Sequence, residues 1–273
     1  MLQRTSNLEK FTIGATDGPI GKVKDFYFDD EFWVVRYIVV ETGAWLSSRK
    51  VLISPFAVGE PDREGRILPV SFDKERVKNS PNIDLHKPVS RQHEIRYLGY
   101  YGYPYYWRGP GLWGEGPDPA STLTGVGYGG ADEEYRRLEA ENERQLEAQA
   151  ERENYDPHLR SCGAVVQYDV HATDGDIGHV QEFLIDERSW AIRYIVVDTS
   201  NWWLGHKVLI SPDWAVDVSW SASKLTVDLT RQAVKDSPPY DPAVPVERGD
   251  ETRMYAHYGR GAYWHERGSR RVA

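Results

Sequence analysis

The chain is short of the residues on which several kinds of chemistry depend. Of its 273 residues one is cysteine, Cys162, and two are methionine. A disulfide framework and a four-cysteine zinc site are therefore excluded within one chain, and the composition fits a reducing compartment. No apolar run approaches the ~18 residues of a membrane-spanning helix. The opening Met1-Leu2-Gln3-Arg4-Thr5-Ser6-Asn7 lacks the apolar core of a signal peptide. The expected location is cytoplasmic, with peripheral membrane association left open. Basic charge is also lacking. The formal net charge is -9, and residues 111–157 carry about -8 of it, so the connector is acidic while the flanking regions are near neutral. That is not the profile of a nucleic-acid binder. Catalytic signatures are missing as well: no His-Glu-x-x-His, no Cys-x-x-Cys, no Gly-x-Ser-x-Gly elbow and no P-loop lysine. The expectation is a non-enzyme with no catalytic residue, no cofactor and no bound metal.

What the chain has is itself, twice, 157 residues apart. Thr16-Asp17-Gly18-Pro19-Ile20-Gly21 returns as Thr173-Asp174-Gly175-Asp176-Ile177-Gly178. Trp33-Val34-Val35-Arg36-Tyr37-Ile38-Val39-Val40 returns as Trp190-Ala191-Ile192-Arg193-Tyr194-Ile195-Val196-Val197. Lys50-Val51-Leu52-Ile53-Ser54-Pro55 returns as Lys207-Val208-Leu209-Ile210-Ser211-Pro212. About 40% of positions are identical over 16–84, which marks a duplication.

Within each copy the period is that of strands. Residues 11–15 and 168–172 alternate apolar and polar, and the following Asp-Gly is a hairpin-turn signal. Val23 and Phe26, like Val180 and Phe183, are three apart and cannot share a face of a regular strand, so a β-bulge is expected between them. Residues 34–40 and 191–197 are β-branched on both faces, as in a central strand. Two further short strands and a helical turn stopped by Ser80-Pro81 or Ser237-Pro238 complete the unit. The expected fold is mainly β: two small antiparallel barrels joined by a Gly/Pro-rich linker and a charged helix.

The order Asp-Gly-x-x-Gly-x-Val, then Arg-Tyr-Ile-Val-Val-acid, then Val-Leu-Ile-Ser-Pro resembles the PRC-barrel. That fold is shared by the cytoplasmic domain of the photosynthetic reaction-centre H subunit and the C-terminal domain of the ribosome maturation factor RimM. The resemblance covers residues 8–84 and 165–241. It implies a protein-interaction role, either supporting a membrane-associated complex of the photosynthetic electron-transfer type or, as the alternative, ribosome or RNA association. The H subunit has a membrane helix that this chain lacks, and RimM carries one such barrel where this chain has two.

Residues 1–108 are read as the first barrel with an aromatic tail, 109–157 as linker and acidic helix, 158–267 as the second barrel with its tail, and 268–273 as a disordered end. The shared residues Asp17, Gly18, Gly21, Arg36, Tyr37, Asp174, Gly175, Gly178, Arg193 and Tyr194 are read as structural. Arg36 and Arg193 are expected to pair with a nearby acid such as Asp29 or Asp186. Gly-x-Gly-x-x-Gly at 125–130 follows no apolar strand and precedes acid, so it is read as linker. The contact candidates are Tyr100, Tyr101, Tyr103, Tyr105, Tyr106 and Trp107 after the first barrel, and Trp203 in the second. Arg91, Arg96 and Arg108 flank the first cluster and keep base stacking open. The expected partner is another protein, and the barrels are expected to pair within the chain or across a homodimer.

Overall fold

The computed structural model describes residues 1–81, 89, 91–124, 158–200 and 207–265. Trp203, the helix expected at 131–153, residues 125–130 and residues 268–273 lie outside the described residues. In chain order the strands are β1 (Leu2–Arg4), β2 (Thr12–Ala15), β3 (Gly18–Asp29), β4 (Val34–Thr42), β5 (Lys50–Ile53), β6 (Ile67–Pro69) and β7 (Leu159–Ser161). The second repeat adds β8 (Asp169–Ala172), β9 (Gly175–Asp186), β10 (Ile192–Asp198), β11 (Lys207–Ile210), β12 (Ala215–Ser219) and β13 (Lys224–Val227).

The protein is mainly β, with two barrel-like units. The first unit holds Glu9–Arg160, and the second joins Met1–Leu8 to Ser161–Ser269. The chain's first eight residues therefore belong with the second repeat, not with the domain expected to begin at residue 1. Strands in the first unit run β5-β4-β3-β2-β6, with β7 on β3; those in the second run β11-β10-β9-β8-β13-β12, with β1 on β9.

The mainly β, two-unit fold is as expected, but each sheet is mixed and not purely antiparallel. β6 runs parallel to β2 through Thr12↔Ile67, Ile13↔Leu68 and Gly14↔Pro69. β13 runs parallel to β8 in the same way. A parallel neighbour needs a long return rather than a hairpin, and the connection after Ile53 or Ile210 supplies it. Hydrophobic period reports which face a residue occupies and is silent on strand direction.

Local signals act as their chemistry requires. Gly18 and Gly175 sit at φ +132° and +136°, where L side chains rarely go. Gly21 and Gly178 serve close approach: a Cβ would meet the Glu41 carbonyl oxygen at 2.1 Å or that of Asp198 at 2.0 Å. The turn aspartates have a second task. Asp17 Oδ1 accepts from the Lys74 amide at 3.0 Å, and Asp174 Oδ1 from the Arg231 amide at 2.7 Å, so each anchors the start of the helical turn that ends its barrel. Register shifts fall between Val23 and Asp25 and between Val180 and Glu182, leaving Lys24 and Gln181 as the extra bulge residues. β4 is buried on both faces from Val34 to Val40.

One face of that strand is covered by the segment read as an aromatic tail. Arg91–Tyr101 is a helix, and so is Arg248–Tyr258. Glu94, Tyr97, Leu98 and Tyr101 recur at helical spacing and are buried; their counterparts Glu251, Met254 and Tyr255 are buried likewise. Tyr97 is fixed at both ends of its hydroxyl, donating to the Leu52 carbonyl and accepting from the Ser54 amide, each at 3.0 Å. Its ring meets Tyr37 edge-on at 5.1 Å.

Candidate functional site

At the base of each of these helices a buried carboxylate gathers the surrounding polar groups. Glu94, in the first turn of its helix, is fully buried. Tyr106 donates its hydroxyl to Glu94 Oε1 at 2.7 Å. His158 Nε2 lies 2.7 Å from Oε2, and Arg91 Nη1 lies 3.2 Å from it. Burial works to raise the Glu94 carboxyl, but the bond to His158, the charge of Arg91 and the Tyr106 hydroxyl outweigh it and hold the group below the ordinary carboxylate value.

The second unit repeats the node, with Tyr263 and Arg248 equivalent to Tyr106 and Arg91 and one neighbour changed. Tyr194 and Tyr263 donate to Glu251 Oε1 at 2.7 and 2.9 Å, and Arg248 Nη1 lies 2.9 Å from Oε2. Burial first, then nearby tyrosines and Glu251, push Tyr194 far above its usual value. Tyr263 is pushed up to about 12, mainly by burial and then by Glu251. Tyr37 and Tyr106 are raised well above their usual value by burial, and next by the Glu94 charge. Tyr106, Tyr194 and Tyr263 are proton donors held in place on the two buried carboxylates.

Beside the first node lies Arg36, 1% exposed. Its Nε binds Asp29 at 2.5 Å and its Nη1 donates to the Leu112 carbonyl at 2.5 Å. The guanidinium lies 3.9 Å from the Tyr106 ring centre and 4.8 Å from that of Trp113. Its counterpart Arg193 is 3.7 Å from Asp186, bonds Ser189 at 3.2 Å and covers the Tyr263 ring at 4.1 Å. Both arginines therefore pair with the expected acid.

Trp113 stands in the segment read as flexible linker, and it is fully buried against Phe56, Tyr106 and Arg36. Residues 109–124 pack on the first barrel. Their glycines allow contact: a Cβ at Gly111 would lie 2.5 Å from the Gly116 carbonyl oxygen, and one at Gly114 would lie 2.7 Å from that of Arg108. Glycine content signals close backbone approach here, not freedom of the chain.

The contact candidates divide. Tyr101, Tyr105 and Tyr106 are buried, so they cover the barrel and cannot present a surface to a partner. Tyr100 is half-buried, with its hydroxyl donating to the Arg76 carbonyl at 2.8 Å. Tyr103 and Trp107 are also half-buried. Tyr103 stacks on Tyr101 at 5.6 Å, and Trp107 stacks on Tyr105 at 4.9 Å. Arg91 lies 4.0 Å from the Trp107 ring and Arg108 lies 4.8 Å from that of Tyr105, so two of the three flanking arginines are already stacked, while Arg96 is exposed.

A feature the sequence reading missed lies in the second unit. A cavity of about 370 Å³ opens beside the helix Arg248–Tyr258. Leu209, Pro239, Val244 and Met254 line it, with Asp250 and Arg253 among its polar members. Val244 is 57% exposed. The only signals for it were the proline cluster at 238–245 and an apolar residue amid turn residues, which read as loop. Among the described residues no three His, Cys, Asp or Glu side chains gather to hold a metal ion, and no helix is long and apolar enough to cross a membrane.

No curated protein matches the chain. The first repeat does match a known family: residues 5–77 fit the model of the PRC-barrel domain, from the buried Thr5 to the buried Val77 that closes the barrel's last helical turn.

Proposed function

We propose that this chain is a non-enzymatic adaptor built from two PRC-barrel-type units, and that it binds a protein partner through the second unit. The observation that carries the reading is the apolar cavity bordered by Val244 and Met254. Concave, mostly apolar surface with a few polar groups is the usual form of a ligand site, and the exposed apolar Val244 at its margin extends it into a surface suited to a protein contact. The strongest polar constellations point elsewhere than catalysis. In both units the carboxylate is bound by a tyrosine and by an arginine of its own helix, and Tyr194 in the second unit or His158 in the first ties that helix to its barrel. The half-exposed edge formed by Tyr103 and Trp107 offers a second, smaller contact face on the first unit. By resemblance, the assembly served is a membrane-associated complex of the electron-transfer type. Nucleic-acid stacking is the weaker reading because Arg91 and Arg108 already lie over the rings they would share with a base.

The test is crosslinked capture from native lysate with the full chain as bait, comparing wild type with Val244→Asp. The reading expects a defined protein to be recovered by wild type and reduced at least severalfold by the substitution, with circular dichroism unchanged. Equal recovery with both baits would sink it.

A further inference from the structure

We infer that β3 and β9 each carry a strand-binding edge filled by the leading strand of the other repeat, so that the two repeats are interlocked by reciprocal exchange. The offset of 157 makes β1 and β7 equivalent: Leu2 corresponds to Leu159, and Met1 to His158. Yet β1 pairs with β9 through Leu2↔Asp186, Gln3↔Ile185 and Arg4↔Leu184, while β7 pairs with β3. Each leading strand thus lies on the repeat to which it does not belong in sequence.

The two docked strands are held by the same contacts at the same offset. The Glu187 amide donates to the Met1 carbonyl at 3.1 Å, and the Asp30 amide donates to the His158 carbonyl at 3.0 Å. Side chains then fasten each strand in its own way. On β9, Ser6 Oγ donates to Glu182 at 2.5 Å, Arg4 lies 3.6 Å from the same carboxylate, and Leu8 is buried. On the first unit, Arg160 Nε binds Asp30 at 2.8 Å and His158 reaches the buried Glu94. One of the three contacts on Glu94, that from His158, is therefore supplied by a residue that follows the connector. A row of unpaired strand groups recruits another strand readily, and here the fitting partner is the leading strand of a like repeat. Severing the connector should leave the pieces joined, because each keeps a strand docked in the other.

The experiment uses the full chain with a protease site placed within 125–157 and cleaved after folding. Cys162 is changed to Thr, the residue at the equivalent position 5. Leu2→Cys and Asp186→Cys are then introduced. Alternation from the Met1–Glu187 hydrogen bond makes this a non-hydrogen-bonded pair, where side chains approach closest. Oxidation is expected to join the two pieces covalently on a non-reducing denaturing gel. The control pair Leu2→Cys with Asp29→Cys, which a strand docked on its own repeat would bridge, is expected to give at least about fivefold less intramolecular bridging. Bridging of Leu2 to Asp29 in place of Asp186 overturns the inference. Because Asp186 also bonds Ser189, a second measurement leaves it intact: Arg160→Asp and Asp30→Arg in the cleaved chain. Each alone is expected to weaken association of the pieces by about fivefold, with recovery when combined. Association unmoved by either reversal also overturns it.

Discussion

Tyr194 reaches Glu251 across 57 positions of sequence and donates its hydroxyl at 2.7 Å. In the first repeat the corresponding carboxylate, Glu94, takes that additional short contact from His158 instead. Tyr106 and Arg91 match Tyr263 and Arg248 at the offset of 157, so the position and two partners are kept and only the third partner changes. The duplicated units therefore share a way of fastening helix to barrel, while differing in how deeply the charges are buried. Arg91 is largely buried, whereas the side chain of Arg248 is 56% exposed.

That difference sets an order of stability effects. Glu94→Gln leaves Arg91 without its buried counter-charge, weakens the contacts from Tyr106 and His158, and is expected to cost about 3 kcal/mol. Glu251→Gln removes a partner from a solvated arginine and weakens two hydrogen bonds, costing about 1 kcal/mol. Urea denaturation of the two variants checks the order. Equal losses would mean that the first node is no more buried in its energetics than the second.

Acid should act on the first node before the barrel core. Glu94 is held below its ordinary value of 4.5 in the fold. A carboxyl depressed in this way stabilises the fold above its unfolded value, and that stability is lost as pH falls through the folded one. Denaturation curves between neutrality and pH values below 4.5 should show a decline for wild type that is flattened in Glu94→Gln. The tyrosines run the opposite way. Tyr103, Tyr258 and Tyr263 are pushed up to about 12, chiefly by burial. A phenol raised by folding stabilises below its unfolded value of 10, and that contribution is lost as pH rises from 10 towards 12. Phenolate absorbance should therefore rise late, together with loss of near-ultraviolet dichroism.

Trp113 gives the sharpest contrast between composition and structure. Trp113→Ala would open a cavity beside Arg36 and Phe56 and is expected to cost about 3–5 kcal/mol. Proteolysis of the native protein should then extend into residues 109–124. A loss under 1 kcal/mol, within the range of ordinary surface substitutions, would show that the segment merely lies on the surface.

Gly21→Ala and Gly178→Ala should each be severe, because the added methyl meets backbone carbonyl at 2.1 and 2.0 Å, and backbone cannot step aside cheaply. Gly14→Ala is the control, since its methyl would meet only the Ile67 side chain, at 2.8 Å. Thermal denaturation should rank the first two well below the third.

The parts of the fold visible in sequence are those decided within a few residues. The Asp-Gly turns, the bulge at Lys24 and Gln181, the doubly buried β4 and the arginine–acid pairs each follow from local spacing. Ser54 and Ser211 cap the short turns that their prolines begin, as Ser-Pro suggests. What was hidden is decided at long range. Strand direction in β6 and the docking of β1 on β9 leave no trace in period or composition. The helix Arg91–Tyr101 is obscured because it ends in Leu-Gly-Tyr-Tyr and runs into the tyrosine-rich 103–106, so its buried face reads as part of the aromatic tail. The cavity beside Met254 forms from residues 45 positions apart, as Leu209 and Met254 are, and only the folded chain brings them together.

The central claim, a protein partner seated in the second unit's cavity, is tested most directly by hydrogen exchange on the full chain with and without the captured partner. Protection is expected over 238–246 and along the helix Arg248–Tyr258, with the first unit's helix Arg91–Tyr101 unchanged. Partner-dependent protection confined to the first unit, or none in either, would contradict it.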